Sequence, residues 1–95
     1  MEVTNNKREF RFEVQLPDGE FARLDYRWLK GSMVLMHTVV PKSAQGKGVG
    51  AFLVKFVLDH IRQHGLKMIV YCSFVAKYLE KHPEYNDLVD TSRNQ

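Results

Sequence analysis

Cysteine is nearly absent from this chain. Cys72 is the single cysteine among 95 residues, so no internal disulfide can form. A structural zinc site would need several further ligands, and the spacing of the four histidines is not that of a metal site. We therefore predict neither a disulfide nor a bound metal.

Long apolar runs and blocks of like charge are also missing. No apolar stretch approaches the roughly 20 residues that a helix needs to cross a bilayer, and no secretory signal pattern opens the chain. These absences predict a cytoplasmic protein with no membrane partner. The net charge of +3 is scattered along the chain, which argues against nucleic-acid binding. The alternative, a basic surface that binds nucleic acid or protein, would need Lys and Arg clustered on one face.

The composition that remains is that of a folded domain. Apolar residues make up 44% of the chain and aromatic residues 12%, which is typical of a globular protein. The length allows one modest core. We predict a single domain over residues 1–95, with residues 1–8 loose and residues 90–95 frayed.

The first half of the chain has the alternation of β-strands. Two stretches alternate apolar and polar residues and predict a hairpin, because Pro17-Asp18-Gly19 between them is a turn signal. The apolar members are Phe10, Phe12, Val14 and Leu16, then Ala22, Leu24, Tyr26 and Trp28. After a turn at Lys30–Ser32, the almost continuous apolar run Met33–Val40 predicts a central strand covered on both faces. Pro41 ends it.

The second half has the periodicity of helices. Apolar residues recur at helical spacing over Val49–His64, and Gly65 is a natural helix stop. Leu66–Tyr71 predicts a second buried strand, parallel to the Met33 strand because a helix separates the two. Ser73 is the expected N-cap of a second helix, which Pro83 ends or kinks. The order β-β-β-α-β-α predicts an α+β fold, a mixed α/β sandwich.

A glycine-rich segment, Gln45–Gly50, joins the Met33 strand to the first helix. Such a turn leaves backbone N–H groups bare at a helix N-terminus, which favours a phosphate or pyrophosphate. A Walker A loop would need Ser or Thr where Gly48 follows Lys47. A dinucleotide-binding fingerprint is matched in form by Gly46, Gly48 and Ala51, but Leu66–Tyr71 lacks the acidic residue that it requires.

The pattern Gln-x-x-Gly-x-Gly, formed by Gln45, Gly48 and Gly50, resembles the coenzyme A pyrophosphate loop of the GNAT superfamily of N-acetyltransferases. The flanking segments His37–Pro41, Cys72–Val75 and Lys81–Tyr85 sharpen the match. Together they look like small single-domain GNAT-like acetyltransferases. The resemblance covers about residues 10–89 and implies a trimmed GNAT fold with a central mixed sheet.

The resemblance implies acetyl coenzyme A as the cofactor. The candidate cofactor-binding residues are Val39, Val40, Gln45, Gly46, Lys47, Gly48, Val49, Gly50 and Ser73. The backbone of Val39–Val40 is expected to pair with the pantetheine arm as an extra strand would. The helical region that helps build the acceptor pocket in larger relatives has no counterpart in this sequence. We therefore expect an open acceptor site, or one completed by a partner chain, in a monomer or weak homodimer.

Three side chains are candidates for catalysis. His37 interrupts an apolar strand, where a polar group must be hydrogen-bonded or functional. Cys72 precedes a helix, whose N-terminus favours the thiolate. Tyr78 matches the region where many GNAT enzymes place a tyrosine that protonates the departing thiolate. Each residue has a structural alternative: a satisfied core histidine, an inert buried cysteine and a packed aromatic.

Two departures from the family leave the general base open. Relatives commonly have Glu where Val39 stands, and often Pro near Val70. The predicted function is acetyl transfer from acetyl coenzyme A to a primary amine of a small molecule or peptide, by direct attack of the amine or through acetyl-Cys72. The alternative is a coenzyme A-binding module with little catalysis.

Overall fold

A computed structural model describes residues 1–92 of the chain. Within that range it contains five β-strands, two α-helices and two short 3₁₀ helices. The strands are β1 (Val3–Asn6), β2 (Arg11–Gln15), β3 (Phe21–Leu29), β4 (Ser32–Val39) and β5 (Met68–Val70). The helices are α1 (Val49–Gln63) and α2 (Ser73–Lys81), and the 3₁₀ helices cover Lys42–Ala44 and Pro83–Leu88.

The five strands form one mixed sheet, in the order in which they follow along the chain. Strands β1 to β4 pair antiparallel, and β5 pairs parallel to β4. Helix α1 makes the crossover between the two parallel strands, which a parallel pair requires. The α+β class, the hairpin of β2 and β3 and the parallel pair are therefore confirmed.

The start of the chain differs from the prediction. Val3–Asn6 is the edge strand β1 and not a loose segment. Its Asn-rich sequence lacks the alternation of a half-buried strand, so the pairing depends on tertiary contacts. The hydroxyl of Tyr26 donates to Asn5 Oδ1 at 2.8 Å, and Asn6 Nδ2 donates to Glu13 Oε1 at 3.3 Å.

The last described residues are also held in place. The N–H of Asp90 donates to the carbonyl of Met68 at 2.7 Å, and Ser32 Oγ donates to Asp90 Oδ2 at 2.5 Å. Asp90 therefore continues the contacts of β5 and is not frayed. Residues 93–95, where fraying was also expected, lie outside the described residues.

The core lies between one face of the sheet and the two helices. Alternate residues of β2 and β3 point into it, together with a stripe of α1 and Val75 of α2. Burying one such aliphatic side chain contributes about 1.5–3 kcal/mol. The fully buried residues of the α1 stripe are Leu53, Val54, Val57, Leu58 and Ile61. Neither helix in the described residues is long and apolar enough to cross a membrane.

Strand β4 is covered on both faces only over its first half. Ser32–Leu35 is buried, whereas exposed residues alternate with half-buried ones from Met36 to Val39. Met36 is an extra residue in the pairing with β3, since Leu35 lies opposite Tyr26 and His37 opposite Asp25. This is the geometry of a β-bulge, which bends a strand.

Strands β4 and β5 part just after the bulge begins. Only Met33–Leu35 pairs with β5. The N–H groups of Tyr71 and Cys72 both donate to the Leu35 carbonyl at 3.0 Å, and then the chain turns into α2. The second half of β4 therefore projects beyond its neighbour. A cleft is left between its end and the N-terminus of α2.

Candidate functional site

The segment between β4 and α1 is held in shape by its own backbone. Gln45 Nε2 donates to the Val40 carbonyl at 3.1 Å, which fastens the loop to the end of β4. Gly46 and Gly48 both have φ of 80°, a left-handed conformation that glycine adopts readily and other residues adopt at a cost. Two of the three glycines of the motif are therefore required by the turn itself.

Helix α1 begins with bare donors. Its N-cap is Gly48, which has no side chain to cap the helix, and its first turn contains no acidic residue. The N–H groups of Val49, Gly50 and Ala51 have no intrahelical acceptor because of their position. Within the described residues, the N–H groups of Gly46 and Lys47 also have no acceptor. These donors and the positive end of the helix dipole suit an anion.

Gly50 is needed for packing between the two helices. A Cβ atom at this position would lie 2.7 Å from Cζ of Phe74. Glycine therefore allows the Phe74 ring to lie against the first turn of α1. Phe74 is 42% exposed, and its ring forms part of the wall of the cleft. The sequence gives no sign of this role, because at helical spacing Phe74 reads as a core residue.

The loop and the end of β4 enclose one cavity. Its volume is about 410 Å³, within the range of small-ligand sites. The bare N–H groups lie at one part of this cavity and Thr38 at another. The lining residues are Thr38, Val40, Ala44, Gln45, Gly46, Gly48, Val49, Gly50, Ala51 and Phe74.

Cys72 lies beside this cavity and is paired across the cleft. Its Sγ is 3.2 Å from Oγ1 of Thr38, and either atom can be the donor. The sulfur atom is buried, since Cys72 is only 5% exposed. Thr38 thus satisfies the expectation that a polar residue in this strand is hydrogen-bonded, and the pair joins β4 to α2 where β4 and β5 part.

The N-cap of α2 differs by one residue from the prediction. Cys72 is the N-cap, and Ser73 is the first helical residue. No side chain at the N-cap donates or accepts a capping hydrogen bond, and Ser73 is exposed. The shift places the thiol directly at the start of the helix.

His37 is not in the interior. It is exposed, so the argument that a buried polar residue must be satisfied or functional does not apply to it. The bulge and the parting of β4 from β5 explain the difference, because they end the covered part of β4 before His37. Neighbouring residues of a strand point to opposite faces, which puts His37 on the face away from Thr38. Asp25 is its cross-strand partner.

Tyr78 lies away from the cavity of the loop. It lines a neighbouring depression, and its ring stacks on His82 with centroids 4.1 Å apart. Burial raises the pKa of the Tyr78 hydroxyl. The structure brings Cys72 and Thr38 together at the cavity and leaves Tyr78 outside it.

No group of three or more His, Cys, Asp or Glu side chains in residues 1–92 could hold a metal ion. The donors at the cavity are backbone N–H groups, one hydroxyl and one thiol. The N–H groups suit an anion such as a phosphate.

Comparisons with known proteins identify the family of this chain. The family model of GCN5-related N-acetyl-transferases matches residues 11–88. The chain belongs to this family. Human Protein NATD1 is 31% identical over 85% of this chain and 74% of its own length. The zebrafish (Danio rerio) Protein NATD1 is 27% identical over 90% of this chain and 81% of its own.

A solved structure shows the same architecture in this family. It is the solution NMR structure of a GCN5-like protein from Staphylococcus aureus, with a TM-score of 0.68 and 30% sequence identity. The match covers 94% of this chain and 87% of the other. The trimmed GNAT fold predicted from the motifs is therefore confirmed.

Proposed function

We propose that this member of the family transfers the acetyl group of acetyl coenzyme A to a primary amine. The observation that carries the proposal is the arrangement of one cavity. Bare N–H groups of Gly46–Ala51 can bind a pyrophosphate at one part of it. The Thr38–Cys72 pair, 3.2 Å apart, lies beside another part, where the acyl end of an extended ligand would be.

The backbone beyond the bulge of β4 would hold the pantetheine arm. On the side of β5, the backbone of β4 after Leu35 has no strand partner in the described part of the chain. Amide groups of the ligand can pair with Val39 and Val40 as a further strand would. The Val40 carbonyl already accepts from Gln45, so we assign Gln45 to holding the loop and not to contacting phosphate.

The chemistry at the acyl end has two routes. Acetyl coenzyme A supplies an activated thioester. In the direct route a neutral amine would attack the thioester carbonyl, and the departing sulfur would take a proton from Cys72, which then regains one from solvent. In the covalent route the Cys72 sulfur, after giving its proton to solvent, attacks the carbonyl. The carbon–sulfur bond to coenzyme A would break, and coenzyme A would leave as a thiolate that takes a proton from solvent. The amine would then displace the acetyl group from Cys72, whose sulfur is released as a thiolate.

We assign the group that acts on the thioester to Cys72 and not to Tyr78 in either route. Cys72 lies at the start of α2 and contacts Thr38 of the cavity wall, whereas Tyr78 lines the neighbouring depression. The hydroxyl of Thr38 can hold the thiol in place in the first route. It can donate to the sulfur anion in the second.

The acceptor amine would enter from the outer face of the sheet, which is the face away from the Thr38 side chain. Val39 stands where relatives commonly have Glu, so this position supplies no carboxylate. His37 lies on the outer face and is exposed. We assign to it the removal of a proton from the amine and its transfer to solvent. We further propose a cytoplasmic protein, monomeric or weakly dimeric, that does not act on nucleic acid.

The first experiment is a titration of acetyl coenzyme A followed by backbone amide NMR. We expect the largest shifts at Gly46–Gly50, Val39, Val40 and Cys72, with residues of β1 as the internal control. A screen of amines with the loaded protein then tests transfer. Shifts without transfer to any amine would support the binding module instead, and the absence of shifts at these positions would refute the cofactor site.

A further inference from the structure

The two edges of the sheet are finished differently. Strand β5 forms one edge, and a later part of the chain covers it. Val89 bridges to Met68, and the N–H of Asp90 donates to the Met68 carbonyl at 2.7 Å. Strand β1 forms the other edge, and within residues 1–92 it pairs with β2 alone. The sheet therefore ends on the β1 side in an uncovered strand.

The hydrogen bonds of β2 show which backbone groups of β1 point outward. The N–H of Tyr26 donates to the carbonyl of Phe10, just before β2, at 2.9 Å. The even-numbered residues of this segment therefore bond to β3, and the odd-numbered ones bond to β1. Val3 and Asn5 lie opposite even-numbered residues of β2. Their N–H and C=O groups consequently point away from β2, towards the open edge.

Strand β1 has little to prevent it from pairing with another strand. Exposed edge strands are commonly blocked by a proline, a charged side chain or a bulge. The sequence of β1 is VTNN, and its pairing with β2 is unbroken. Within residues 1–92, the outward N–H and C=O groups of Val3 and Asn5 have no hydrogen-bond partner. These groups can accept a further strand, as an exposed sheet edge does in β-augmentation.

The charges that flank β1 make the strand complementary to itself. Glu2 comes directly before β1, and Lys7 and Arg8 follow it in the turn to β2; all three are exposed. When two copies pair antiparallel, the acidic start of each strand lies beside the basic turn of the other. Parallel pairing would instead bring like charges together. The charge pattern therefore favours a second copy of this chain in the antiparallel direction.

We propose that two copies of this chain form a homodimer through antiparallel pairing of their β1 strands. A twofold axis normal to the sheet at Thr4 puts Val3 of each copy opposite Asn5 of the other. Each such pair exchanges both of its N–H···O=C bonds, because these residues direct their backbone groups outward. The two Thr4 side chains then face each other on the outer face of the sheet. The inference does not depend on the proposed function.

The same axis brings together an exposed apolar surface. It places the two α1 helices on the same face of the joined sheets. Phe52 and Phe56 of α1 are 38% and 40% exposed. His60, one turn further along, lines a depression together with Asn5 of β1, so this flank of α1 is directed towards the second copy. Exposed apolar patches mark interaction sites, and the aromatic flank adds area that a short strand cannot supply alone.

Sedimentation equilibrium over a range of protein concentrations tests the dimer. We expect a dissociation constant on the order of 10–100 μM for the wild type, as a small interface allows. Val3→Pro removes an outward N–H at the first residue of the strand, where proline is tolerated. Two intermolecular hydrogen bonds are lost, so this variant should dimerise roughly tenfold more weakly or worse.

Thr4→Lys puts like charges opposite each other across the axis and should weaken the dimer roughly three- to tenfold. This deficit should shrink at high salt. Thr4→Val keeps a β-branched side chain and should dimerise like the wild type. Backbone amide spectra of the dilute variants show whether each monomer keeps its fold, which separates loss of the dimer from unfolding.

A disulfide checks the register. Thr4→Cys places two thiols on neighbouring strands at a spacing that a disulfide spans, so a glutathione exchange buffer should yield a covalent dimer. Gln15→Cys, exposed at the end of β2, should remain largely monomeric. A wild type that stays monomeric at about 1 mM would overturn the inference. A dimer that persists unchanged in both Val3→Pro and Thr4→Lys, or equal crosslinking of the two cysteine variants, would overturn it as well.

Discussion

The two ends of α1 are built differently. The N-terminal end has a glycine N-cap, bare N–H groups and no acidic side chain in its first turn. The C-terminal half is tied to the 3₁₀ helix Pro83–Leu88 by side chains. Tyr85 donates to Asp59 Oδ1 at 2.7 Å, and Arg62 pairs with Asp87 at 2.8 Å. The N-terminal end of α1, with the cavity beside it, leaves its N–H groups without acceptors, and we call it the open end. The C-terminal half of α1 satisfies its own polar groups, and we call it the closed end.

The contacts at the C-terminal half of α1 lower the pKa of two carboxyl groups. Burial of the Asp59 carboxyl opposes its ionisation, but the hydrogen bonds from Lys55 and Tyr85 outweigh burial and hold its pKa below the usual value. The hydrogen bond from Arg62 lowers the pKa of Asp87. These contacts stabilise the ionised carboxylates of the closed end. Substitutions at the open end should therefore change binding and catalysis, and substitutions at the closed end should change stability.

Removal of the thiol should have the largest effect at the open end. Cys72→Ala should lower the rate of acetyl transfer about 100-fold or more, because the attacking or proton-donating group is lost. Affinity for coenzyme A should change little. Steady-state rates with a fixed amine, together with calorimetric binding, would measure both.

Thr38→Val is the companion variant to Cys72→Ala. It keeps the sulfur, so it should lower the rate less than Cys72→Ala does. Intact mass spectrometry without an amine separates the two routes. An acetyl group that appears on the wild type and not on Cys72→Ala supports the covalent route. Full activity in Cys72→Ala would remove Cys72 from the mechanism.

The contribution of the closed end to stability can be tested by a substitution that creates a cavity in the core. Leu58→Ala should lower the free energy of unfolding by about 2–5 kcal/mol, since Leu58 is fully buried on α1. Urea titration measures the loss, and affinity for coenzyme A at low temperature should stay within about twofold. Phe52→Ala, at a partly exposed position of the same helix, should cost less. Equal losses in the two variants would contradict the description of the core.

Gly50→Ala distinguishes binding from stability within the open end. The new Cβ would meet the far end of the Phe74 side chain, which is partly exposed and can move. A helical Ala gains roughly 0.5–1 kcal/mol over Gly, so the free energy of unfolding should barely change. The displaced ring should narrow the cavity and weaken coenzyme A binding several-fold.

A double-mutant cycle checks the cause of this effect. Phe74→Leu removes the ring that Gly50→Ala displaces. If that displacement weakens binding, Gly50→Ala should have a smaller effect in the Phe74→Leu background. Strictly additive losses of affinity would show that the contact between Gly50 and Phe74 is irrelevant to the cleft.

The sequence predicted the fold well where local patterns determine it. Alternation located β2 and β3, helical spacing located α1, and the glycine motif located the loop. It missed β1, since polar side chains there conceal a strand that depends on Asn5 and Asn6 contacting other strands. It placed His37 in the interior because neither the bulge at Met36 nor the divergence of β4 from β5 leaves a local signal.

The site was predicted in its parts but not in its arrangement. Cys72 and the loop were identified from residue type and motif. The pairing of Cys72 with Thr38, and the dependence of Phe74 on Gly50, join residues more than 20 positions apart in sequence. Only the packing of α2 against β4 and α1 brings them together.

The smallest expected effect concerns pH at the closed end. Burial, and then the nearby His64 and Lys7, lower the pKa of His60 in the folded state. Its ring lies 5.1 Å from that of Phe12 and stacks on His64. The unfolded chain therefore binds a proton more readily than the folded one below about pH 6.5. The contribution of His60 is fully present above that pH, and stability falls as pH drops towards the folded pKa.

Urea midpoints between pH 7.5 and pH 5.5 measure this dependence. The carboxylates Asp59 and Asp87 stay ionised across the window, because their pKa values lie below the usual 3.8. The midpoint of the wild type should fall modestly, and that of His60→Gln should fall less because the half-buried titrating ring is gone. His64→Ala should show an intermediate slope, since one of the two positive neighbours of His60 is removed. A midpoint that rises towards pH 5.5 would mean that the folded protein binds protons more tightly than the unfolded chain, which would contradict the lowered pKa of His60.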